Sequence, residues 1–115
     1  MPTGLKLTTH VLDTARGRPA EGMKIELWFL ETNNQVLVCS VKTNGQGRTD
    51  APLLDGAAFR AGQYELVFFV ADYFGNFSAG RFLDQVPVRV NLTAGESYHV
   101  PLLCSPWSYT TYRGS

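Results

Sequence analysis

The chain has 115 residues and a mass of 12.7 kDa, and residues 1–115 are therefore predicted to form a single domain with its own core. Hydrophobic residues make up 44% of the chain, and ten Lys and Arg balance ten Asp and Glu to a formal net charge of zero. This composition disfavours intrinsic disorder. It also lacks the positive field of a general nucleic-acid or anionic-membrane binder, so we expect neither kind of partner.

The ends of the chain bear on its cellular location. No apolar run approaches the roughly 20 residues of a membrane span, and the segment after Met1 has neither the basic start nor the apolar stretch of a secretion signal. The last four residues, 112–115, are not a peroxisomal Ser-Lys-Leu signal. We expect a cytoplasmic protein, and a periplasmic location stays open if a leader segment was removed.

Alternation of apolar and polar residues predicts that most of the chain is β-structure. In residues 24–29, for example, Ile25, Leu27 and Phe29 fall on one face of an extended segment. The predicted strands are, in chain order, residues 5–12, 24–29, 35–43, 64–70, 86–92, 98–103 and 108–112. Many short strands separated by turns favour an all-β sandwich of two sheets over a barrel.

Turn and helix signals lie between these strands. Residues 32–34 and 44–47 supply the Asn and Gly that tight turns need, so strands joined by such turns should pair antiparallel. One short helix is predicted over residues 71–77, with Asp72 as its N-cap and Gly75 weakening it.

His10 is one of two histidines in the chain. In the first predicted strand Leu7 and Val11 mark the core face, which places His10 with Lys6 and Thr8 on the opposite, outward face. A histidine on a strand is more often a surface or structural residue than a catalyst, so its position alone does not establish a role.

His99, the second histidine, lies in the strand at residues 98–103. Alternation places it on one face with Pro101 and Leu103 but does not show which face is the core. Because Pro101 has no N–H to donate, the strand must be an edge, carry a bulge, or place that residue where its partner needs no donor. We therefore predict an irregularity beside His99.

Arg48 follows the glycine of the turn at residues 44–47, where a loop or strand end can present a guanidinium to a ligand. Asp50 lies two residues further on and would point the same way in an extended segment. We predict that Asp50 orients Arg48 through a charged hydrogen bond. A solvated turn charge is the alternative.

Other chemistries find no support in the residues. There is no Gly-rich phosphate loop, no Gly-x-Ser-x-Gly motif and no closely spaced carboxylate pair in a catalytic context. Cys39 and Cys104 lack the short paired spacing of zinc ligands, and two histidines are too few for a closed site, so no metal is expected. Both cysteines are predicted to be free thiols. The residues alone do not name a reaction.

Three separated blocks of sequence carry a family resemblance. They are residues 9–20 (THVLDTARGRPA), residues 47–50 (GRTD), and residues 98–103 (YHVPLL) running on to the terminal YRGS at 112–115. In order and spacing they resemble the transthyretin-like family, and specifically its enzyme branch, the 5-hydroxyisourate hydrolases. Transthyretin itself, a thyroid-hormone carrier, lacks the histidine, arginine and terminal tetrapeptide pattern. The departures, at Cys104, Trp107 and Thr110, replace no proposed catalytic group.

The resemblance implies a fold and an assembly. It implies a transthyretin-like, eight-stranded antiparallel β-sandwich with one short helix. It also implies a homotetramer, a dimer of dimers around a central channel, with active sites at the dimer–dimer interface. Such an interface would explain why catalytic residues stand on outward strand faces that a monomer leaves in water.

The resemblance further implies a substrate, 5-hydroxyisourate, whose six-membered ring is opened by water at an amide-like C–N bond without a cofactor. One histidine would act as base while the other orients the water or protonates the departing nitrogen, and which does which stays open. Arg48 would stabilise the developing oxyanion. The implied catalytic residues are His10, Arg48 and His99; the implied substrate-binding residues are His10, Arg48, Tyr112, Arg113 and Ser115, supported by Asp50 and Gly114.

Two other functions compete with this reading. The first is a carrier that uses the same channel to bind a small molecule of the thyroid-hormone type without turnover. The second is a purely structural or adhesion-type sandwich, which leaves the terminal tetrapeptide without a purpose. A carrier gains nothing from two histidines and an arginine held together, so the residues favour the hydrolase.

Overall fold

The computed structural model describes residues 4–75 and 82–115, which fold into two β-sheets packed face to face. In these residues there are nine strands, one short α-helix and a 3₁₀ turn at Gly56–Ala58. The strands are β1 Lys6–Asp13, β2 Arg18–Pro19, β3 Lys24–Glu31, β4 Asn34–Lys42, β5 Leu54–Asp55, β6 Gly62–Phe68, β7 Val86–Leu92, β8 Tyr98–Cys104 and β9 Tyr109–Thr111.

The predicted all-β sandwich is confirmed. Each strand predicted from alternation is present, as β1, β3, β4, β6, β7, β8 and β9 in turn. The two further strands, β2 and β5, have two residues each, which is too short for alternation to show. They raise the number of strands in the described residues to nine, one more than the expected eight.

Strand pairing brings distant parts of the chain together. One sheet has the order β2-β1-β8-β9, with β5 pairing with the start of β1, and the other has the order β4-β3-β6-β7. The strands joined by the turn after β3 pair antiparallel, as predicted. The same prediction is wrong for the turn at residues 44–47, because the chain crosses there from β4 to the other sheet, where Arg48 and β5 pair with β1. β1 and β8 instead pair parallel, from Leu7 opposite Tyr98 to Asp13 opposite Cys104. A parallel pair needs a long connection, and here most of the chain forms it.

The core lies between the inner faces of the sheets. Leu7 and Val11 of β1 and Leu102 of β8 are fully buried, and Ile25 and Leu27 of β3 face them from the other sheet. Burying these side chains is the main stabilising contribution, about 1.5–3 kcal/mol for each. In the described part of the chain, no helix is both long and apolar enough to cross a membrane.

The helix α1 spans Val70–Phe74 and ends at Gly75, whose N–H donates to the carbonyl of Ala71. The prediction that Asp72 is its N-cap is wrong. The cap is Phe69, without a side-chain hydrogen bond, and Asp72 lies in the first turn. The helix begins earlier because Val70 is buried against the core, and that packing outweighs the capping preference. Residues 76 and 77 of the predicted helix lie outside the described residues.

A buried carboxylate ties α1 to β1. Asp13 is fully buried, and it accepts hydrogen bonds from the backbone N–H of Arg16, from Arg16 Nη1 at 2.9 Å and from the Tyr73 hydroxyl at 2.8 Å. Burial, together with the Asp13 charge, raises the pKa of Tyr73 to about 12. The carboxylate is thus held by three donors, as a buried charge requires.

Both cysteines are free thiols, as predicted. Cys104 is buried at the end of β8, and its Sγ lies 3.7 Å from the carbonyl of Leu12. Burial and the nearby Asp13 charge raise the pKa of Cys104 to about 12, and burial also raises the pKa of Cys39. Both are therefore held as unreactive thiols.

Candidate active site

The parallel pairing of β1 and β8 puts both histidines on the outer face of the sheet. Thr8 lies opposite His99, and His10 lies opposite Pro101. Val100 and Leu102 are buried, so the core face of β8 is the one that His99 does not share. This confirms the predicted outward direction of His10 and resolves the face that alternation left open for His99. Both imidazoles are half-buried.

His99 is held at one ring nitrogen. Its Nδ1 lies 2.8 Å from the Thr8 hydroxyl across the parallel pair. The pKa of His99 is lowered from 6.5, first because burial disfavours the charged ring, and then because Arg48 and His10 place positive charge nearby. These interactions show that the guanidinium and both imidazoles share one electrostatic environment, and they keep His99 neutral near pH 7.

Gly114 fixes the ring of His99 from the other side. The Gly114 N–H donates to the His99 carbonyl at 2.7 Å, forming a bridge beyond the end of β9. A Cβ at residue 114 would lie 2.7 Å from Cδ2 of the imidazole, so only glycine lets the chain end approach the ring this closely. The supporting role predicted for Gly114 thus has a physical basis in the packing.

Pro101 produces the irregularity predicted beside His99. Pairing between β8 and β9 runs from Cys104 to Leu102, is interrupted at Pro101, and returns in the same register at His99 and Gly114. On its other side β8 pairs with β1 without interruption. The register is the same on both sides of the break, so there is no bulge, and Pro101 interrupts the ladder only where β8 faces β9, because it has no N–H to donate.

Arg48 lies beside His10 on the side of β1 away from β8. The two residues form an antiparallel bridge, and the Val11 N–H donates to the Gly47 carbonyl at 2.8 Å. Gly47 has φ +76°, and a Cβ there would lie 2.4 Å from the Val11 carbonyl oxygen and 3.2 Å from Cδ2 of His10. A glycine at this turn is thus required both by conformation and by space, and it lets the arginine follow directly beside the imidazole.

The predicted hydrogen bond between Asp50 and Arg48 is wrong. Asp50 accepts from Asn44 Nδ2 at 3.1 Å, and the Asn44 side-chain oxygen accepts from the Arg48 backbone N–H at 3.2 Å. The turn bends between the two charged residues, so the extended geometry behind the prediction does not apply. Asp50 supports the backbone of the loop through Asn44, and the exposed Arg48 guanidinium is left for a ligand.

The terminal tetrapeptide divides between two faces. Tyr112 is 56% exposed, and Ser115 lies against the His99 side of the sheet. Because Gly114 pairs with His99, alternation turns Arg113 to the opposite face. The Arg113 guanidinium binds Glu96 at 3.0 Å and lies over the Tyr98 ring at 4.1 Å. Arg113 therefore ties the chain end to the segment before β8, and its predicted contact with substrate stays a prediction.

A hollow of 170 Å³ opens beside His99. Two of the residues that line it, His99 and Ser115, were among the predicted site residues. The other four were not: Lys6, Thr8, Ser97 and Tyr98. The alternation of β1 already placed Lys6 and Thr8 on the outward face with His10, and that phase was the signal that could have identified them. Ser97 precedes β8 and gives no comparable signal.

The arrangement suits hydrolysis at a planar carbonyl. A neutral imidazole can take a proton from water near pH 7, and a second imidazole can orient the water or return a proton. A guanidinium can fork onto carbonyl oxygens and stabilise negative charge that develops there. The side chains of His10, Arg48 and His99 lie on one face of the sheet, and their predicted catalytic roles stay predictions.

Known proteins resemble this chain over nearly its whole length. Residues 7–114 match the family model described as the HIUase/Transthyretin family. The "5-hydroxyisourate hydrolase 2" of Rhizobium meliloti is 54% identical over 117 aligned positions, covering 96% of each chain. The structure titled "Crystal structure of (S)-allantoin synthase" matches all of this chain at 43% identity and a TM-score of 0.89, and this chain spans 46% of that longer one.

A transthyretin also shares the fold. Sea bream transthyretin, solved in complex with thyroxine, has a TM-score of 0.87 at 24% identity and covers 95% of this chain and 94% of its own. At that identity the likeness shows the fold alone, and it confirms the transthyretin-like class of the sandwich. By its sequence blocks, its sheet topology and its match over residues 7–114, the chain belongs to the HIUase/Transthyretin family.

Proposed function

We propose that this protein hydrolyses 5-hydroxyisourate to 2-oxo-4-hydroxy-4-carboxy-5-ureidoimidazoline in urate degradation. The observation that carries the proposal is the convergence of His10, His99 and Arg48 on the outer face of one sheet. Relatives about as similar as the Rhizobium meliloti hydrolase bear the same name, and they support the same substrate. No cofactor takes part in the proposed reaction.

His99 acts as the base in the proposed reaction. Its lowered pKa keeps the ring neutral at pH 7, so it can accept a proton from water as the water oxygen attacks the ring carbonyl carbon. The C–N bond then breaks, and the departing nitrogen takes a proton that His10 delivers. At the end of the cycle His99 releases its proton to solvent and His10 takes up a proton from solvent. Both histidines thus return to their starting states, and the overall reaction consumes one water.

Arg48 stabilises the charge that forms on the attacked carbonyl. Its guanidinium is exposed and engages no acidic side chain among residues 4–75 and 82–115, so its donors are available to a substrate. Removing one such donor slows acyl-transfer enzymes about 10²–10³-fold. A lysine presents no planar fork and would replace it poorly.

The site is completed, in this proposal, by a second copy of the chain in a dimer of dimers. The hollow of 170 Å³ beside His99 is smaller than the roughly 300–1,000 Å³ typical of small-molecule pockets, and it is open to solvent. A facing subunit would enclose the half-buried imidazoles and exclude water. The outer edges of β7 and β9 have no partner strand in the described chain, and they offer pairing surfaces for the first dimer.

The test is to mix purified protein with freshly generated 5-hydroxyisourate and to follow its ultraviolet decay against the spontaneous rate. We expect acceleration by the wild type and its loss, by about 10²-fold or more, in His10→Ala, Arg48→Ala and His99→Asn. Arg60→Ala is the matched control, because Arg60 stacks on Phe29 of the other sheet.

Binding of a thyroid-hormone-type ligand without accelerated decay would establish a carrier instead. Sedimentation velocity should give the mass of four chains.

A further inference from the structure

A threonine that the proposed reaction does not use is in contact with the proposed base. Thr8 Oγ1 lies 2.8 Å from Nδ1 of His99, and the two residues are direct neighbours across the parallel β1–β8 pair. The Thr8 hydroxyl has no other hydrogen bond to any residue of segments 4–75 and 82–115. Its side chain also lines the 170 Å³ hollow with His99.

We propose that Thr8 is a positioning residue: its hydroxyl accepts a hydrogen bond from Nδ1–H of His99 and so leaves Nε2 as the basic nitrogen of the site. The inference rests on the proposed function for its catalytic consequence. It goes beyond that function in assigning the tautomer of the imidazole and the residue that selects it. A ring nitrogen that is held by a fixed partner determines which of the two nitrogens is free to exchange a proton.

The direction of the hydrogen bond follows from the two protonation states. In the charged imidazolium both ring nitrogens are donors, so Thr8 must then accept. A hydroxyl that also accepts from the neutral ring keeps the same bond through the whole cycle. If Thr8 instead donated to Nδ1 of the neutral ring, the hydroxyl would have to rotate at every proton transfer.

The surroundings offer no competing partner for Nδ1. The charged or titratable groups near the ring are His10 and Lys6 on β1, Arg48 in the adjoining loop, Tyr98 on β8, and the terminal carboxylate of Ser115. None of them forms a hydrogen bond with Nδ1 in the described residues. Gly114 restrains the ring by packing against Cδ2, and that contact does not distinguish the nitrogens. Thr8 is therefore the group that orients them.

The experiment compares Thr8→Val, which keeps the branched shape and removes the hydroxyl, with Thr8→Ser, which restores a hydroxyl. Nitrogen NMR of 15N-histidine-labelled protein identifies which ring nitrogen of His99 carries the proton. We expect protonated Nδ1 in the wild type and Thr8→Ser, and a mixture of tautomers in Thr8→Val. Thr32→Val is the control, because Thr32 is an exposed threonine in the turn between β3 and β4, on the other sheet.

Steady-state kinetics give the second readout. We expect kcat to fall about tenfold in Thr8→Val with KM changed less than about twofold, and Thr8→Ser to recover most of kcat, because the loss is of one hydrogen bond to the base. Thr32→Val should match the wild type in both constants.

Three outcomes would overturn the inference. They are a wild-type His99 protonated at Nε2, a Thr8→Val protein with the wild-type tautomer, and equal loss of activity in Thr8→Ser and Thr8→Val. The tautomer measurement needs no substrate. If the wild type failed to accelerate decay of 5-hydroxyisourate, the proposed function would fail while the Thr8–His99 bond could still be tested by NMR.

Discussion

Strand β1 carries two polar groups that the structure treats in opposite ways. Asp13, at the inner face, is fully buried and accepts three hydrogen bonds from Arg16 and Tyr73. His10, at the outer face, is half-buried, and its ring has no hydrogen-bond partner in the described part of the chain. The hydrogen bonds to Asp13 stabilise the fold, and the His10 imidazole keeps its ring nitrogens available for chemistry.

The comparison extends to the electrostatics of the two regions. At Asp13 opposite charges attract, and the buried carboxylate holds the helix against the sheet. Around His99 like charges are brought together, since Arg48 and His10 both lower its pKa. The two neighbouring positive groups thus oppose protonation of His99. Perturbed groups held in this way are characteristic of functional sites.

The largest expected effect is on stability and comes from removing the charge of the buried Asp13. Asp13→Asn removes the charge that Arg16 and Tyr73 donate to, and we expect the free energy of unfolding to fall by about 3 kcal/mol. Urea denaturation followed by circular dichroism measures this loss. Asp55→Asn, an exposed carboxylate on β5, should change stability by less than about 0.5 kcal/mol. Equal losses of unfolding free energy in the two variants would show that the hydrogen bonds of buried Asp13 do not stabilise the fold more than an exposed carboxylate does.

The second largest effect is on activity and comes from adding a side chain at residue 114, beside the His99 ring. In Gly114→Ala the new Cβ would lie 2.7 Å from Cδ2 of His99, so the imidazole must shift. We expect kcat to fall about 10–100-fold, because a displacement near 1 Å of a catalytic group has an effect of this size. Thermal unfolding should change little, since the substitution is next to the last residue.

Gly45→Ala is the matched control for that variant. A Cβ at residue 45 would meet its nearest neighbour, Glu21, at 3.8 Å, which is an ordinary contact. Its activity should equal that of the wild type. Wild-type kinetics in Gly114→Ala would show that the chain end does not hold the imidazole.

A smaller effect is the pH dependence of the reaction. Only neutral His99 can accept a proton, and its pKa lies below 6.5. The rate kcat/KM should therefore be level at pH 7 and fall as the pH decreases through a value below 6.5. Initial rates between pH 5 and 8 measure this profile. A flat profile, or a fall with its midpoint above pH 6.5, would exclude His99 as the base.

The smallest expected effect is on the pKa of His99 and comes from removing the positive charge of Arg48. Removing the positive charge in Arg48→Gln should raise the pKa of His99 toward 6.5 without restoring it fully, because burial is the larger cause of the lowering. Titration of the His99 ring by NMR measures the shift. Arg18→Gln, on the exposed strand β2, should leave the His99 titration unchanged. An equal shift in both variants would point to net charge and not to proximity.

Much of this organisation could be predicted from local patterns. Period-two alternation identified the longer strands, and it placed His10 outward because Leu7 and Val11 occupy the core face. The missing N–H of Pro101 predicted the break in pairing beside His99. The predictions that failed, the Asp72 cap and the Asp50–Arg48 bond, both assumed regular local geometry. Burial of Val70 shifted the start of the helix, and Asp50 accepts its hydrogen bond from Asn44 and not from Arg48.

The amino-acid sequence by itself determined which residues share a face within each strand, because side chains alternate with a period that neighbouring residues set. It did not determine which strands lie side by side, in which direction or in which register. Only the packing of two sheets around one core makes β1 and β8 parallel neighbours and so brings His99 to Thr8, across 91 residues of chain, and into the field of His10 and Arg48. That choice depends on long-range burial, which no short segment of sequence contains.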